Sequence, residues 1–338
     1  MRALDLRRLA PDAQPGEARP ALMGSGGVLV YGEALADLVP EDAGAARYEA
    51  LLGGSGFNTA LTLARCGAPV SYCATLSHDA LGRRFRARLE QDGIDLRFLA
   101  ESDKPTPLAV VAPLGTDGAA RYHFHLARTT LDEPPPLPAS FDGIAHLHLT
   151  SFGATVGASG ERALELMRAA RAAGLSLSYD LNIRPPALPG PEEILRLIEE
   201  RVTLCDLVKL SIEDAEQVFG AGYETVVARW LSEGRALVLL TEGDHGAHLV
   251  RARGERVRGY APVTELVDTI GAGDAFMGGF LASVARAGEL GPALRSLSDE
   301  AAASAMDVAA RVAAETCGRR GCDPPRLTPE LPSEQSRT

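Results

Sequence analysis

No apolar run in this sequence reaches the ~18–20 residues that a bilayer core requires, which argues against a helical membrane span. Met1 to Pro20 lacks the apolar middle of a secretory signal and carries Pro, Arg and Asp instead. The five cysteines, Cys66, Cys73, Cys205, Cys317 and Cys322, are odd in number and include no CxxC pair. That excludes a disulfide frame or a zinc site of the usual spacing and reads as reduced thiols in a cytoplasmic protein. Basic charge is also short: 34 Lys+Arg stand against 45 Asp+Glu, a net −11 over 338 residues. A phosphate backbone wants a basic face, so nucleic acid is not the expected partner. Aromatic residues make up only 5%, and the single tryptophan, Trp230, is read as core. Apolar residues are plentiful at 46%, enough to exclude global disorder and to bury the core of a large α/β domain or two smaller ones.

Residues 1–24, rich in Ala, Pro, Arg and Gly without a sustained period, read as a loose extension, and 327–338 as a C-terminal tail. Between them, 25–326 form the expected domain, with no internal repeat. Its one low-complexity patch, Glu133 to Pro138, is a stiff connector. From residue 144 onward strands alternate strictly with helices: strands near 144–149, 175–180, 207–210 and 236–241, helices near 161–173, 192–202, 224–233, 273–286 and 299–315. This order predicts a mostly parallel sheet covered on both faces. Ser211 with Asp214 three residues on has the spacing of a capping box. Antiparallel strands near 108–112 and 120–125 do not fit that sheet; with 33–52 they are expected to form a small β lid, about 33–52 and 105–128.

Ligands of open α/β sheets collect beyond the carboxyl ends of the strands. That rule selects Asp37, Asp180 to Asn182, Lys209 to Ser211 and Thr241 to Gly243. The sharpest single feature is the run Asp268 to Phe276, DTIGAGDAF, which enters an apolar helix. Gly271 and Gly273 let successive backbone N–H groups point the same way, and a helix start reinforces them as an anion pocket. Asp274 sits in the first turn of that helix. Amide donors that hold a moving phosphoryl group beside a carboxylate that deprotonates a hydroxyl suit phosphoryl transfer. Alone, such a string reads equally as an Asp capping a helix after a glycine turn.

A second glycine-rich run, Gly53-Gly54-Ser55-Gly56-Phe57-Asn58, also opens a helix. It is no Walker loop, because no Gly-Lys-Ser/Thr follows, and no dinucleotide fingerprint, because the third glycine is missing. Asn58 could meet sugar hydroxyls as donor and acceptor, or simply cap its helix. Taken together, in this order and at this separation, the two runs resemble the sugar and nucleotide signatures of the pfkB, or ribokinase-like, carbohydrate kinases over about residues 26–326. The likeness is greatest to bacterial fructokinases. Tyr31 to Asp37, Ser178 to Pro186, Asp206 to Ser211 and Cys317 to Pro325 are similar to stretches of that subgroup.

The resemblance implies a three-layer α/β/α fold and ATP-dependent phosphorylation of a sugar hydroxyl, with fructose the leading acceptor. Other ketoses or aldoses, 2-keto-3-deoxy sugar acids and nucleosides are the alternatives, and a non-catalytic binding protein of the same fold is a third reading. It implies Asp274 as base and the backbone of Gly271, Ala272, Gly273 and Asp274 as anion hole. Asp37, Gly53, Gly54, Asn58 and Arg121 would bind the sugar. Asn182, Lys209, Glu213, Thr241 and Gly243 would line the nucleotide and Mg²⁺ site, with Arg184 and Lys209 near the phosphates or in sheet-end salt bridges. Asp268 would help hold the monovalent cation, such as K⁺, that some members use, and lid strands paired between subunits would give a homodimer. Gly56 to Thr59, Ser77 to Asp79 and the strand Arg121 to His125 depart from the subgroup, the last lacking its aromatic-rich run; all three are expected to face or cover the sugar. The pairs His123/His125, His146/His148 and His245/His248 have half-site spacing for a metal, but without acidic or Cys partners they read as packed or rim histidines, those of the lid being able to touch substrate.

Overall fold

The computed structural model describes residues 26–327, except 42–46, 113–120, 185, 186, 188, 236, 252–255 and 261–264. The expected extension at 1–24 and nearly all of the tail at 327–338 therefore lie outside the described residues. The chain opens with strand β1 (Gly27–Tyr31), then β2 (Leu35–Pro40), β3 (Tyr48–Gly53) and helix α1 (Ser55–Arg65). Next come β4 (Val70–Cys73), β5 (Thr75–Ser77), α2 (Ala80–Gln91), β6 (Ala100–Ser102), β7 (Leu108–Ala112) and β8 (Arg121–His125). The alternating half follows: β9 (Ile144–Thr150), α3 (Gly157–Ala172), β10 (Ser176–Asp180), α4 (Pro191–Val202), β11 (Leu207–Ser211), α5 (Ile212–Phe219), α6 (Tyr223–Ser232) and β12 (Leu237–Thr241). A hairpin of β13 (Ala247–Arg251) and β14 (Arg256–Gly259) precedes α7 (Ala272–Arg286) and α8 (Asp299–Cys317).

The main sheet runs β14-β13-β12-β11-β10-β9-β1-β4, parallel from β4 to β12 and antiparallel at the β13/β14 edge. Both faces are covered, and the period-2 alternation of the strands decides which side chains go where. Val28, Val30, Leu207 and Leu239 join the core under α1, α2, α7 and α8. Leu29, Tyr31, Val208 and Val238 join the opposite core under α3 to α6, where Trp230 is fully buried. The result is the expected three-layer α/β/α arrangement. No helix of the described residues is long and apolar enough to cross a membrane.

Helix α7 is apolar on nearly every side and is accordingly wedged in the interior. Two glycines make that possible. A methyl group on Gly278 would meet Thr62 Cβ at 2.5 Å, and one on Gly279 would meet Ala309 Cα at 3.1 Å. This close approach to α1 and α8 fixes where the first turn of α7 stands.

The region 33–52, expected in the lid, contains β2 and β3. They join β7 and β8 in a separate four-stranded sheet ordered β3-β2-β7-β8. The short β5/β6 pair, which carries no strong period, was not legible in the sequence. Ser211 caps α5 as its spacing predicts, its hydroxyl accepting from Asp214 N–H at 2.9 Å.

Candidate active site

Gly271 is left-handed, at φ +75°, and forms the N-cap of α7. A methyl group there would sit 2.5 Å from Cys322 Cβ and Sγ, so the position demands glycine on both backbone and steric grounds. Asp274 follows in the first turn and is buried. Its carboxylate is held from two sides: Ser55 Oγ donates to Oδ1 at 2.5 Å and Asn58 Nδ2 to Oδ2 at 2.9 Å. The Ser55 hydroxyl also meets Thr150 Oγ1 at 2.6 Å, at the carboxyl end of β9. Burial raises the Asp274 pKa above the ordinary carboxylate value, while the bonds from Ser55 and Asn58 pull it down.

Asn58 is one turn inside α1, and Gly54, at φ +92°, stands at the N-cap. The capping reading of Asn58 is thereby set aside. Its Nδ2 is committed to Asp274, and its buried Oδ1 has no partner among the described residues.

Two cavities converge on this turn. One is lined by Glu33, Leu35, Asp37, Gly54, Ser55, Asn58, Tyr122, Phe124 and Phe152. The other is lined by Lys209, Ser211, Glu213, Asp214, Thr241, Gly243, Gly273 and Phe276, beyond the carboxyl ends of β11 and β12. Asn182, Arg184, Thr269, Gly271 and Asp274 line both. A donor in one cavity and an acceptor in the other would meet at one carboxylate and one amide-rich helix start.

In the first cavity Asp37 is buried at the mouth of β2, and burial, reinforced by the charge of Asp274, pushes its pKa up to about 7. Glu33, buried behind it, is likewise raised to about 7, although it accepts from Ser55 N–H and Gly153 N–H, each at 3.1 Å. Gly53 does not line the cavity. A methyl group there would meet Asp37 Oδ2 at 2.2 Å, so its absence makes room for that carboxylate. These raised acids have a consequence for stability. Between their ordinary values of 3.8 and 4.5 and about 7, the folded chain holds protons that the unfolded chain has released. Stability of the ligand-free protein therefore falls as pH rises through that window. Asp37→Asn is expected to stabilise the ligand-free protein at pH 8 by on the order of 2 kcal/mol, about 3 °C or more in Tm, and to leave it little changed at pH 4. Thermal melts at the two pH values test this; a lower Tm for the variant at pH 8 would refute the buried-charge cost.

In the second cavity Lys209 Nζ donates to Asp180 Oδ2 at 2.7 Å, and both residues are buried. The same ammonium stands 3.2 Å from where a Gly273 methyl would be, so it is both a sheet-end ion pair and a neighbour of the helix start. Burial raises the Asp180 pKa and Lys209 pulls it down. Asn182 holds a positive φ of 39°, which turns the chain after β10 into the shared wall. Glu213 lines the cavity but is exposed, whereas its neighbour Asp214 is more enclosed, its pKa raised by burial. Asp214, Ser55, Glu33 and Phe152 are residues that motif reading did not assign to the site: Asp214 was read only as part of a helix cap, Ser55 lay inside the glycine run, Glu33 lay inside the Tyr31 to Asp37 stretch, and Phe152 had no local signal.

Two expectations change, those for Ser77 to Asp79 and for the lid histidines. Ser77 to Asp79 does not face the sugar cavity: Asp79 caps α2, accepting from Gly82 N–H at 2.8 Å and also binding Thr106. His123 and His125 are exposed, while Tyr122 and Phe124, on the opposite face of β8, point into the cavity and build an aromatic wall with Phe152. Arg121 begins β8, but its side chain lies outside the described residues. Asp268 lines neither cavity; its two oxygens accept from Ile270 N–H and Gly321 N–H, each at 2.9 Å, and so brace the turn that precedes Gly271. The remaining histidine pairs show packed and rim roles: His146 and His148 are fully buried against Ser176 and Ser178, and His245 is exposed. No group of three His, Cys, Asp or Glu among the described residues is arranged to hold a metal ion.

A three-layer α/β/α fold with two cavities meeting at an amide-rich helix start and a buried carboxylate is an arrangement suited to a phosphotransferase acting on a hydroxyl. Residues 26–329 match the pfkB family carbohydrate kinases, and the chain belongs to that family. The aminoimidazole riboside kinase of Salmonella typhimurium is 32% identical over 289 residues, 84% of this chain and 89% of that protein. A fructokinase of Rhizobium leguminosarum bv. trifolii is 31% identical over 269 residues, 76% of this chain and 79% of that protein. The crystal structure of a fructokinase from Xylella fastidiosa with bound ATP superposes with a TM-score of 0.78 at 28% identity, covering 87% of this chain and 93% of that one. The fold is ribokinase-like, and the chain is an ATP-dependent carbohydrate kinase.

Proposed function

We propose that this kinase transfers the γ-phosphoryl group of ATP to a hydroxyl of fructose, with Asp274 as the general base. The observation that carries the reading is the position of Asp274 and Gly271 in the shared wall of both cavities. The sugar lies in the first cavity, its hydroxyls on Asp37, on Asn58 Oδ1 and on the backbone at Gly54. ATP lies in the second, with Lys209 and Asn182 beside the phosphates and Thr241 and Gly243 along the nucleotide. As the phosphoryl group moves, Asp274 accepts the hydroxyl proton, and the N–H groups from Gly271 to Asp274 hold the developing negative charge. Ser55 and Asn58 fix the plane of the carboxylate so that it meets the acceptor oxygen in one orientation. The side-chain oxygens of Asn182, Glu213 and Asp214 are hard donors that suit Mg²⁺, which would neutralise phosphate charge when bound. The sheet β3-β2-β7-β8 acts as a lid whose closure excludes water.

A second acceptor is favoured by a specific observation. The wall of Tyr122, Phe124 and Phe152 presents aromatic surface to the sugar cavity, with ring centroids 6.0 and 5.5 Å apart. A riboside with a planar base would stack there, and one relative is named for such a substrate. ADP release measured on a panel of fructose, other sugars, 2-keto-3-deoxygluconate and ribosides, with and without K⁺, decides between them. Fructose is expected to give the highest kcat/KM. A riboside preferred by about tenfold or more would overturn the fructose assignment and leave the base assignment standing. Activity independent of K⁺ would leave Asp268 only its bracing role.

A further inference from the structure

A buried polar track runs along one face of β9 and β10, outside the two cavities. Gly291 N–H donates to Ser176 Oγ at 3.0 Å; Ser176 Oγ meets His146 Nδ1 at 2.7 Å; His146 Nε2 meets Ser178 Oγ at 2.7 Å; and Ser178 Oγ meets His148 Nδ1 at 2.8 Å. Both histidines are fully buried, and that burial holds them neutral. A neutral imidazole has one donor and one acceptor nitrogen, so the track has a direction.

That direction follows from Ser176. Its hydroxyl hydrogen can go to Ala145 O at 3.5 Å, too long for a good hydrogen bond, or to His146 Nδ1 at 2.7 Å, and we assign it to the latter. His146 Nδ1 then accepts, and its Nε2–H donates to Ser178. Ser178 passes its own hydrogen to His148 Nδ1, which leaves the proton of His148 on Nε2. Among the described residues that nitrogen has no partner, and neither does Asp180 Oδ1. One is a buried donor and the other a buried acceptor. Ser178 pairs with His148 and Asp180 with Thr150, so the two side chains leave the same sheet face at diagonal positions. Such neighbours stand roughly 8 Å apart at the backbone, one strand spacing across and two residues along, a span that two side chains and one water can bridge.

We propose that His148 is a positioning residue for the phosphate end of the nucleotide site, its Nε2–H reaching Asp180 Oδ1 through a buried water. The chain then continues through Asp180 Oδ2 to Lys209 Nζ, fixing the carboxylate plane and aiming the ammonium at the turn that contains Gly273. The inference rests on the placement of the ATP phosphates beside Lys209 proposed above.

Three variants and one spectrum test it. His148→Leu is expected to raise the KM for ATP and lower kcat, a combined loss of about tenfold in kcat/KM for ATP with the sugar KM little changed. His148→Gln returns an N–H near the Nε2 position and is expected to stay within about twofold of wild type, although both variants lose the Ser178 bond and melt lower. In ¹⁵N-histidine spectra of the whole protein, His148 should be the Nε2–H tautomer. Wild-type ATP kinetics in His148→Leu, an equal kinetic loss in both His148 variants, or an Nδ1–H tautomer would each overturn the proposal. Lys209→Met separates the layers: if ATP KM is unmoved there, the phosphate placement itself fails, whereas a large rise there with no effect of His148→Leu removes only the histidine link.

Discussion

Asp274→Asn is expected to lower kcat by about 10³-fold while the KM for the sugar stays within about threefold, because general-base catalysis contributes on the order of 10²–10⁴ and the alignment of the acceptor survives. An amide at this position keeps the shape of the carboxylate. Its oxygen still accepts from Asn58, and Ser55 Oγ can turn to accept from the new amide nitrogen. Only the capacity to take a proton is lost. The pH profile supplies a second readout. In the wild-type enzyme the base must be ionised, so activity disappears as pH falls through the Asp274 pKa, which burial raises above the ordinary carboxylate value of 3.8. That acid limb should vanish from the residual rate of the variant. Near-normal turnover in Asp274→Asn would end the base assignment, and an unchanged acid limb would move it to Asp37 or Glu33, the two other buried acids of the cavity.

Gly271→Ala is expected to cost about 10²–10³-fold in kcat, the range for loss of a preorganised oxyanion donor. Two effects combine. A left-handed backbone at φ +75° costs a Cβ-bearing residue about 1–2 kcal/mol. The new methyl group also falls 2.5 Å from Cys322, which cannot retreat because Gly321 N–H is tied to Asp268 and Asp323 to Arg65. The turn must shift, and its N–H groups leave the converging point of the cavities. The double variant Gly271→Ala/Cys322→Gly removes the clash and keeps the backbone cost, so it should recover at least about tenfold of the loss. If Gly271→Ala is as active as wild type, the amides of this turn do not carry the transition-state charge.

Much of this site could be read from short stretches. The run Asp268 to Asp274 announces itself because glycines beside a helix start have local consequences, and the carboxyl-end rule reaches Asp180, Asn182, Lys209 and Thr241 from strand positions alone. Ser211 was legible as a cap for the same reason. Other roles had no local signal. Ser55 looked like one residue of a glycine-rich turn, yet it holds the oxygen of an acid 219 positions away. Glu33, in a stretch singled out for Asp37, and Phe152, in unremarkable sequence, enter the cavity only because β1 and β9 are neighbours in the sheet. Tyr122 and Phe124 seemed too few to make an aromatic wall until the register of β8 put both on the inner face, with Phe152 across from them.

The sequence by itself determined the layered α/β architecture, the helix start that gathers amide donors, and the carboxylate in its first turn. These depend on period, backbone freedom and spacing within a few residues. The tertiary structure alone decided that Ser55 and Asn58 orient that carboxylate, that Gly53 yields its space to Asp37, that Asp79 serves a helix cap instead of the sugar, and that His148 shares a sheet face with Asp180. Each of these depends on strand order and on which face a residue takes, quantities set by the packing of the whole sheet between its two helix layers.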